Sequence, residues 1–199
     1  MKKILGFLVL AMLVGAARLV HAAQKAGAEI IIYDTSGLVN PAEGGANLKH
    51  AKIDLLRPSI VFAIQRDQEL ATLLAPLRHN RHMQVIELRP SPAAQPRDVP
   101  ARQAHRASQF ARYFAAARSL TLDWGQLAVF PSPRFAFNQL VALEDADGFT
   151  LSLGIVTLSN AATKQVQLLT PLDSPDGVEA LRLGDLTLDP KTFRDQPLV

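Results

Sequence analysis

Apolar and polar positions follow two different rhythms along the chain. Residues 28–34, Ala-Glu-Ile-Ile-Ile-Tyr-Asp, form a short apolar run rich in β-branched side chains, which predicts a buried strand. A loop follows, with Gly37, Pro41, Gly44 and Gly45. Ser59–Gln65, set off by Pro58, predicts a second strand. Asp67 then offers an N-cap for a helix whose Leu70, Leu73, Leu74 and Leu77 share one face, and Pro76 ends or kinks it. Met83–Leu88 predicts a third strand, so residues 59–88 read as one strand–helix–strand unit with a right-handed crossover. Pro90, Pro92, Pro96 and Pro100 mark a linker or extended loop. Ala101–Arg118 gives the clearest helical pattern. Ala107, Phe110, Ala111, Phe114 and Ala117 line one face, and Arg102, Arg106 and Arg112 reach solvent.

From Ser119 the period changes to two. Leu120, Leu122 and Trp124 alternate with polar residues, as do Phe149, Leu151, Leu153 and Ile155. Gln126–Phe130, Arg134–Leu143, Lys164–Leu169 and Val178–Leu183 are further strand candidates. Pro131-Ser-Pro133, Asp145-Ala-Asp-Gly148, Asn160, Ser174-Pro-Asp-Gly177 and Gly184-Asp185 supply the turns between them. The fold class expected is α+β: an N-terminal α/β segment with a βαβ unit, one long amphipathic helix, then a mostly antiparallel sheet or small sandwich. The segments are 23–89, 90–118 and 119–199, preceded by residues 1–22.

Those first residues change the picture of where the chain works. Met1-Lys2-Lys3 precedes the apolar run 4–17, and Val20-His21-Ala22 resembles a cleavage site, the order of a secretory signal peptide cut after Ala22. Fourteen apolar residues ended by Arg18 reach about 21 Å, short of a hydrocarbon core near 30 Å. The expectation is an exported protein of the periplasm, or a secreted one, with no membrane span after cleavage. The formal charge is +3, with 21 Lys and Arg against 18 Asp and Glu. Cleavage would remove Lys2, Lys3 and Arg18 and leave the two signs equal. The balance is uneven: residues 23–118 carry 13 basic and 8 acidic groups, residues 119–199 carry 5 and 10. With no dense basic stripe interleaved with aromatics, nucleic acid is not expected as a partner. Zero cysteine excludes disulfide scaffolds, thiolate metal sites and cysteine nucleophiles.

Candidate chemistry centres on Tyr33-Asp34-Thr35-Ser36-Gly37. An Asp at the carboxyl end of a strand, followed by hydroxyl residues and Gly, stands where α/β folds place ligand contacts. Asp34, Thr35 and Ser36 are therefore the ligand-binding candidates, set against a plain turn stabilised by the same side chains. The string resembles the Asp-Thr-Gly motif of retropepsin-type aspartic proteases, with Ser36 inserted and no second copy to complete a carboxylate dyad. His79 and His82 suggest a metal pair only if a third ligand joins them, and Asp145, Asp147 and Gly148 lack the remaining ligands of a calcium loop. No metal and no cofactor is expected. The chain contains no Gly-x-Ser-x-Gly elbow, no Ser-x-x-Lys and no Gly-x-x-x-x-Gly-Lys phosphate loop, and no catalytic residue is assigned. Trp124, Phe130, Phe135 and Phe137, at alternating spacing, are expected in the core, set against an exposed platform for sugar or peptide. Ala93–Asp98 is similar to the Arg-Ala-Gln-Pro-Arg-Asp signature of a small exported family of integrative conjugative elements. The match is five residues, and that family is short and helical.

Two functions follow. The first is a non-catalytic periplasmic accessory or assembly factor that binds another envelope protein through Arg102, Arg106 and Arg112 and an exposed strand edge, with a homodimer left open by the uncovered edges. The alternative is a periplasmic hydrolase or small-ligand-binding protein that uses the Asp34-Thr35-Ser36 turn.

Overall fold

The computed structural model describes residues 2–40, 44–94 and 98–198, with side chains described from residue 12. Pro41 of the loop and residues 95–97, which fall within the proline-rich segment and the Ala93–Asp98 string, lie outside the described residues. The chain divides into two compact units, 1–95 and 96–199.

In the first unit, helix α1 (Lys2–Lys25) runs without a break through the Ala22–Ala23 junction. It packs against α2 (Gly45–Leu56), and Ala16 is buried. Among the described residues no helix is long and apolar enough to cross a membrane. Residues 28–36 join no strand, contrary to the expectation for 28–34. The reason is the missing partner: β-branched residues favour a strand only where a neighbour takes up their backbone groups. Ile30 and Ile32 are 82% and 91% exposed as a result.

The expected strand–helix–strand unit forms. Strands β1 (Ile60–Ile64) and β2 (Gln84–Leu88) pair in parallel, Ile60 opposite Gln84 and Ile64 opposite Leu88. The connecting helix is shorter than its leucine pattern, with α3 at Ala71–Leu74 and a 3₁₀ turn at Leu77–His79 beyond Pro76. Asp67 is not its cap. The Glu69 carboxylate instead accepts from the backbone N–H groups of Arg66 and Asp67, which holds its pKa below the usual carboxylate value. Gln65 Oε1 accepts from Leu70 N. Ala63, Leu74 and Leu77 form a small core with Ile53, Leu73 and Val85 packed around it. The other face of β1 carries Ile60, Phe62 and Ile64, all exposed.

In the second unit a sheet of seven strands holds the core. They are β3 (Arg118–Asp123), β4 (Ala128–Phe130), β5 (Gln139–Glu144), β6 (Thr150–Asn160), β7 (Gln165–Thr170), β8 (Ala180–Leu188) and β9 (Asp195–Pro197). Their order is β3-β7-β6-β5-β8-β4, with β9 also on β8. Every pairing is antiparallel except β4 with β8. Val141, Leu143, Val156, Val166, Leu168 and Leu181 close the core at 1% exposure or less. Gln139, itself buried, sits at a bulge between β5 and β8: its Oε1 accepts from Ala136 N and its Nε2 donates to Gly184 O. Trp124 and Phe135 pack on this core, while Phe130 and Phe137 are exposed, so the aromatic set divides.

Helix α4 (Val99–Tyr113) starts at an Asp98 cap, whose carboxylate accepts from Ala101 N at 2.8 Å, with Pro100 in the first turn. It stops five residues before the expected end, because Arg118 already belongs to β3. Phe114 packs with Ile155 and Leu188 on the sheet and stacks on Phe193 at 6.1 Å. The architecture is α+β with a mostly antiparallel sheet.

Candidate functional site

The Asp34 turn is positioned by the start of the next helix. Gly44, at φ 72°, caps α2 in the left-handed region that favours glycine. Gly45 then runs against Leu38: a Cβ there would lie 2.8 Å from the Leu38 carbonyl oxygen. Gly45 N donates to Asn40 O at 2.9 Å and closes the loop. This close approach brings the first turns of α2 alongside residues 33–36.

Lys49 Nζ donates to Thr35 Oγ1 at 3.0 Å and to the Ser36 carbonyl at 2.5 Å. Lys52, one turn on, is 5% exposed, with its ammonium 5.1 Å from the centroid of the Tyr33 ring. Burial pushes the Lys49 pKa below its ordinary value, the charge of Lys52 adds to this, and Asp34 opposes both. Asp34, Thr35 and Ser36 themselves are exposed. The Asp34 carboxylate, the Thr35 hydroxyl, the Ser36 carbonyl and two ammonium groups thus lie near one another in the first unit. The turn reading and the ligand reading of Asp34-Thr35-Ser36 both assigned these residues, in a string that begins at Tyr33, and neither anticipated Lys49 or Lys52. The available signal was the i, i+3 spacing of the two lysines on the helix after the turn.

The other candidates do not converge on this cluster. His50 bonds the Leu73 carbonyl through Nε2 at 3.0 Å. His79, His82 and His105 are exposed, and among the described residues no group of three or more His, Cys, Asp or Glu side chains is placed to hold a metal. In the second unit, Arg106 pairs with Asp195 through Nε, 3.2 Å from each carboxylate oxygen, and Arg112 donates to Gln109. Arg102 is exposed. A cavity of about 300 Å³ in that unit is lined by Asn138, Thr187, Asp189, Thr192, Arg194 and Gln196; its carboxylate is engaged by the Lys191 N–H and the Thr192 hydroxyl.

Comparison with known proteins bears on all of this. The family model described as "mRNA cleavage and polyadenylation factor CLP1 P-loop" matches residues 7–116, more than half of the chain. The chain is 21% identical over 221 residues to a polyribonucleotide 5'-hydroxyl-kinase of Methanocaldococcus jannaschii, covering 81% of this chain and 60% of that protein. It is 22% identical over 230 residues to the enzyme of the same description from Pyrococcus abyssi, covering 87% and 63%. The chain thus spans about three-fifths of the length of these relatives. A solved structure of the interface between Pcf11p and Clp1p aligns with a TM-score of 0.51 at 12% identity, over 70% of this chain and 42% of that one, a likeness of fold.

These findings overturn four expectations. The match begins at residue 7, inside the segment read as a signal peptide, and that segment lies in α1. The periplasmic or secreted location is therefore withdrawn, and there is no ground for setting aside Lys2, Lys3 and Arg18. The envelope accessory factor and its envelope partner fall, as does the periplasmic hydrolase or ligand binder, because the relatives act on polyribonucleotides. The exclusion of nucleic acid falls for the same reason. It rested on the export reading and on the lack of a dense basic stripe interleaved with aromatics.

Proposed function

The chain belongs to the mRNA cleavage and polyadenylation factor CLP1 P-loop family, and we propose from that premise that it takes part in phosphorylating the 5'-hydroxyl of RNA. In this reaction the 5'-hydroxyl oxygen attacks the terminal phosphorus of a nucleoside triphosphate. The bond to the bridging oxygen breaks, the diphosphate leaves, and the hydroxyl proton passes to a base or to solvent. The observation that carries the reading is the Asp34-Thr35-Ser36 turn within the matched residues. It is exposed, and Lys49 holds it in place.

Phosphoryl transfer is catalysed mainly by positioning and by neutralising charge on the phosphates. Asp34 with the Thr35 and Ser36 hydroxyls offers hard oxygen donors. One carboxylate suits a magnesium ion shared with substrate phosphates, since that ion keeps water and phosphate oxygens in its shell rather than an all-protein cage. Asp34, Thr35 and Ser36 are the ligand-binding residues on this proposal. No Gly-x-x-x-x-Gly-Lys string occurs in the 199 residues, so binding is the first quantity to measure and turnover the second.

The test is titration of the full chain with magnesium ATP and with a short 5'-hydroxyl RNA, followed by transfer of labelled terminal phosphate to that RNA. Asp34→Asn is expected to weaken magnesium-dependent ATP binding at least about tenfold, in line with loss of a charge-assisted contact. Absence of binding to both ATP and RNA by the parent chain would overturn the reading.

A further inference from the structure

Two positive charges share the space beside one negative one. Lys49 and Lys52 leave the same face of α2, and the Lys52 side chain is 95% buried by exposure of the residue. Its neighbour is the Tyr33 ring, and among the described residues no carboxylate lies within ion-pairing distance of its ammonium. Burying an ammonium is costly unless a counter-charge or acceptor meets it. Asp34 lies near enough to Lys49 to act on its charge, and among the described residues neither lysine forms an ion pair. Thr35 Oγ1 accepts from Lys49, so its own O–H is still available to donate. The turn is exposed, and a Cβ on Gly37 would meet nothing within 4 Å, so an incoming group has room.

We infer that Lys49 and Lys52, with the Thr35 hydroxyl, bind a phosphate group of the substrate. This rests on the phosphoryl-transfer reading above and adds to it the residues that take the phosphate charge. The ligand chemistry is a non-bridging phosphate oxygen, which the nucleoside triphosphate and the RNA backbone both supply. Lysine suits it as a mobile point charge with three donors. Seated between the two ammonium groups, phosphate would also restore the Lys49 pKa that burial and Lys52 now depress.

The experiment uses the full chain and three probes: ATP, adenosine, and a short single-stranded RNA. The parent is expected to bind ATP or RNA and to ignore adenosine. Lys49→Gln and Lys52→Gln should each weaken the phosphate-bearing probe about tenfold, and Lys49→Arg and Lys52→Arg should retain most of the affinity. If ATP responds, the triphosphate is the source. If RNA alone responds, its backbone is the source, and the slope of log affinity against log salt falls by about 0.7 per lysine removed. Circular dichroism identifies any Gln variant that has unfolded, and the Arg variant then decides that position by keeping the charge without the lysine geometry. Unchanged binding of both probes in folded Gln variants overturns the phosphate site while leaving RNA phosphorylation standing. Lysine-dependent ATP binding without RNA binding or transfer keeps the site and removes the RNA reading. Binding of neither probe by the parent removes both.

Discussion

Tyr113 joins a helix to a sheet through one oxygen. Its hydroxyl accepts from Leu153 N at 2.9 Å and lies 3.1 Å from Ser152 Oγ, which in turn lies 3.1 Å from the buried Thr170 Oγ1. Thr170 donates to the Leu153 carbonyl at 2.8 Å. β7 pairs with β6 only from Ile155 onward, so the tyrosine takes the place of a strand partner for Leu153. Tyr113→Phe should cost about 0.5–1.5 kcal/mol, the net worth of an ordinary hydrogen bond at a site water can reach, read as a lower midpoint in urea with the slope unchanged. A second residue-scale outcome concerns acid. Asp189 accepts from Lys191 N and from the Thr192 hydroxyl, and those bonds lower its pKa. A lowered carboxylate pKa gives stability that is present above the unfolded value and is lost as pH falls through the folded one. Asp189→Asn should therefore flatten the acid limb of the stability profile below about pH 4, the ordinary carboxylate range, which a series of thermal melts across pH would show.

At the scale of elements, Gly45 sets how closely α2 approaches the Asp34 turn. A methyl group there meets backbone, not a side chain that can swing away. Gly45→Ala should destabilise the first unit by about 1–3 kcal/mol, as overpacking does, and separate Lys49 from Thr35. Loss of the protection of Gly45 N–H in hydrogen exchange would check it. The same comparison shows which elements can be read locally. The alternation Phe149, Leu151, Leu153, Ile155 needs only its own residues to announce a strand, and β6 formed there. The start of α4 is expected at Ala101 with Pro100 in the linker, whereas Asp98 caps the helix and Pro100 lies in its first turn. Residues 28–34 have equally good strand chemistry, yet no edge in the first unit receives them. β9 was invisible because Asp195-Gln-Pro197 has no apolar alternation and is held by pairing with β8. The candidate site divides likewise: Asp34, Thr35 and Ser36 stand in one string, whereas Lys49 and Lys52 join them only once the loop at Gly44-Gly45 has folded back.

For the molecule as a whole, the misread location has a simple physical origin. A lysine pair followed by fourteen apolar residues describes an export signal and an apolar helix equally well, and α1 sets its Ala16 against the rest of its unit. The two units also differ in how much they bury. The sheet of 96–199 encloses Val141, Leu143, Val166, Leu168 and Leu181 completely, whereas the core of 1–95 around Ala63, Leu74 and Leu77 lies under a two-stranded parallel sheet with Ile60, Phe62 and Ile64 exposed on its other face. Parallel strands are ordinarily covered on both faces, so the first unit has the weaker hold on its native state. Amides of β5, β6 and β8 should consequently exchange far more slowly than those of β1 and β2. Leu168→Ala should cost about 2–5 kcal/mol in the second unit. Phe62→Lys should shift stability by no more than about 0.5 kcal/mol, while reducing the binding of a hydrophobic dye to the native chain. Slow exchange in β1 and β2, or a large stability loss in Phe62→Lys, would mean that the exposed face of β1 is covered in solution.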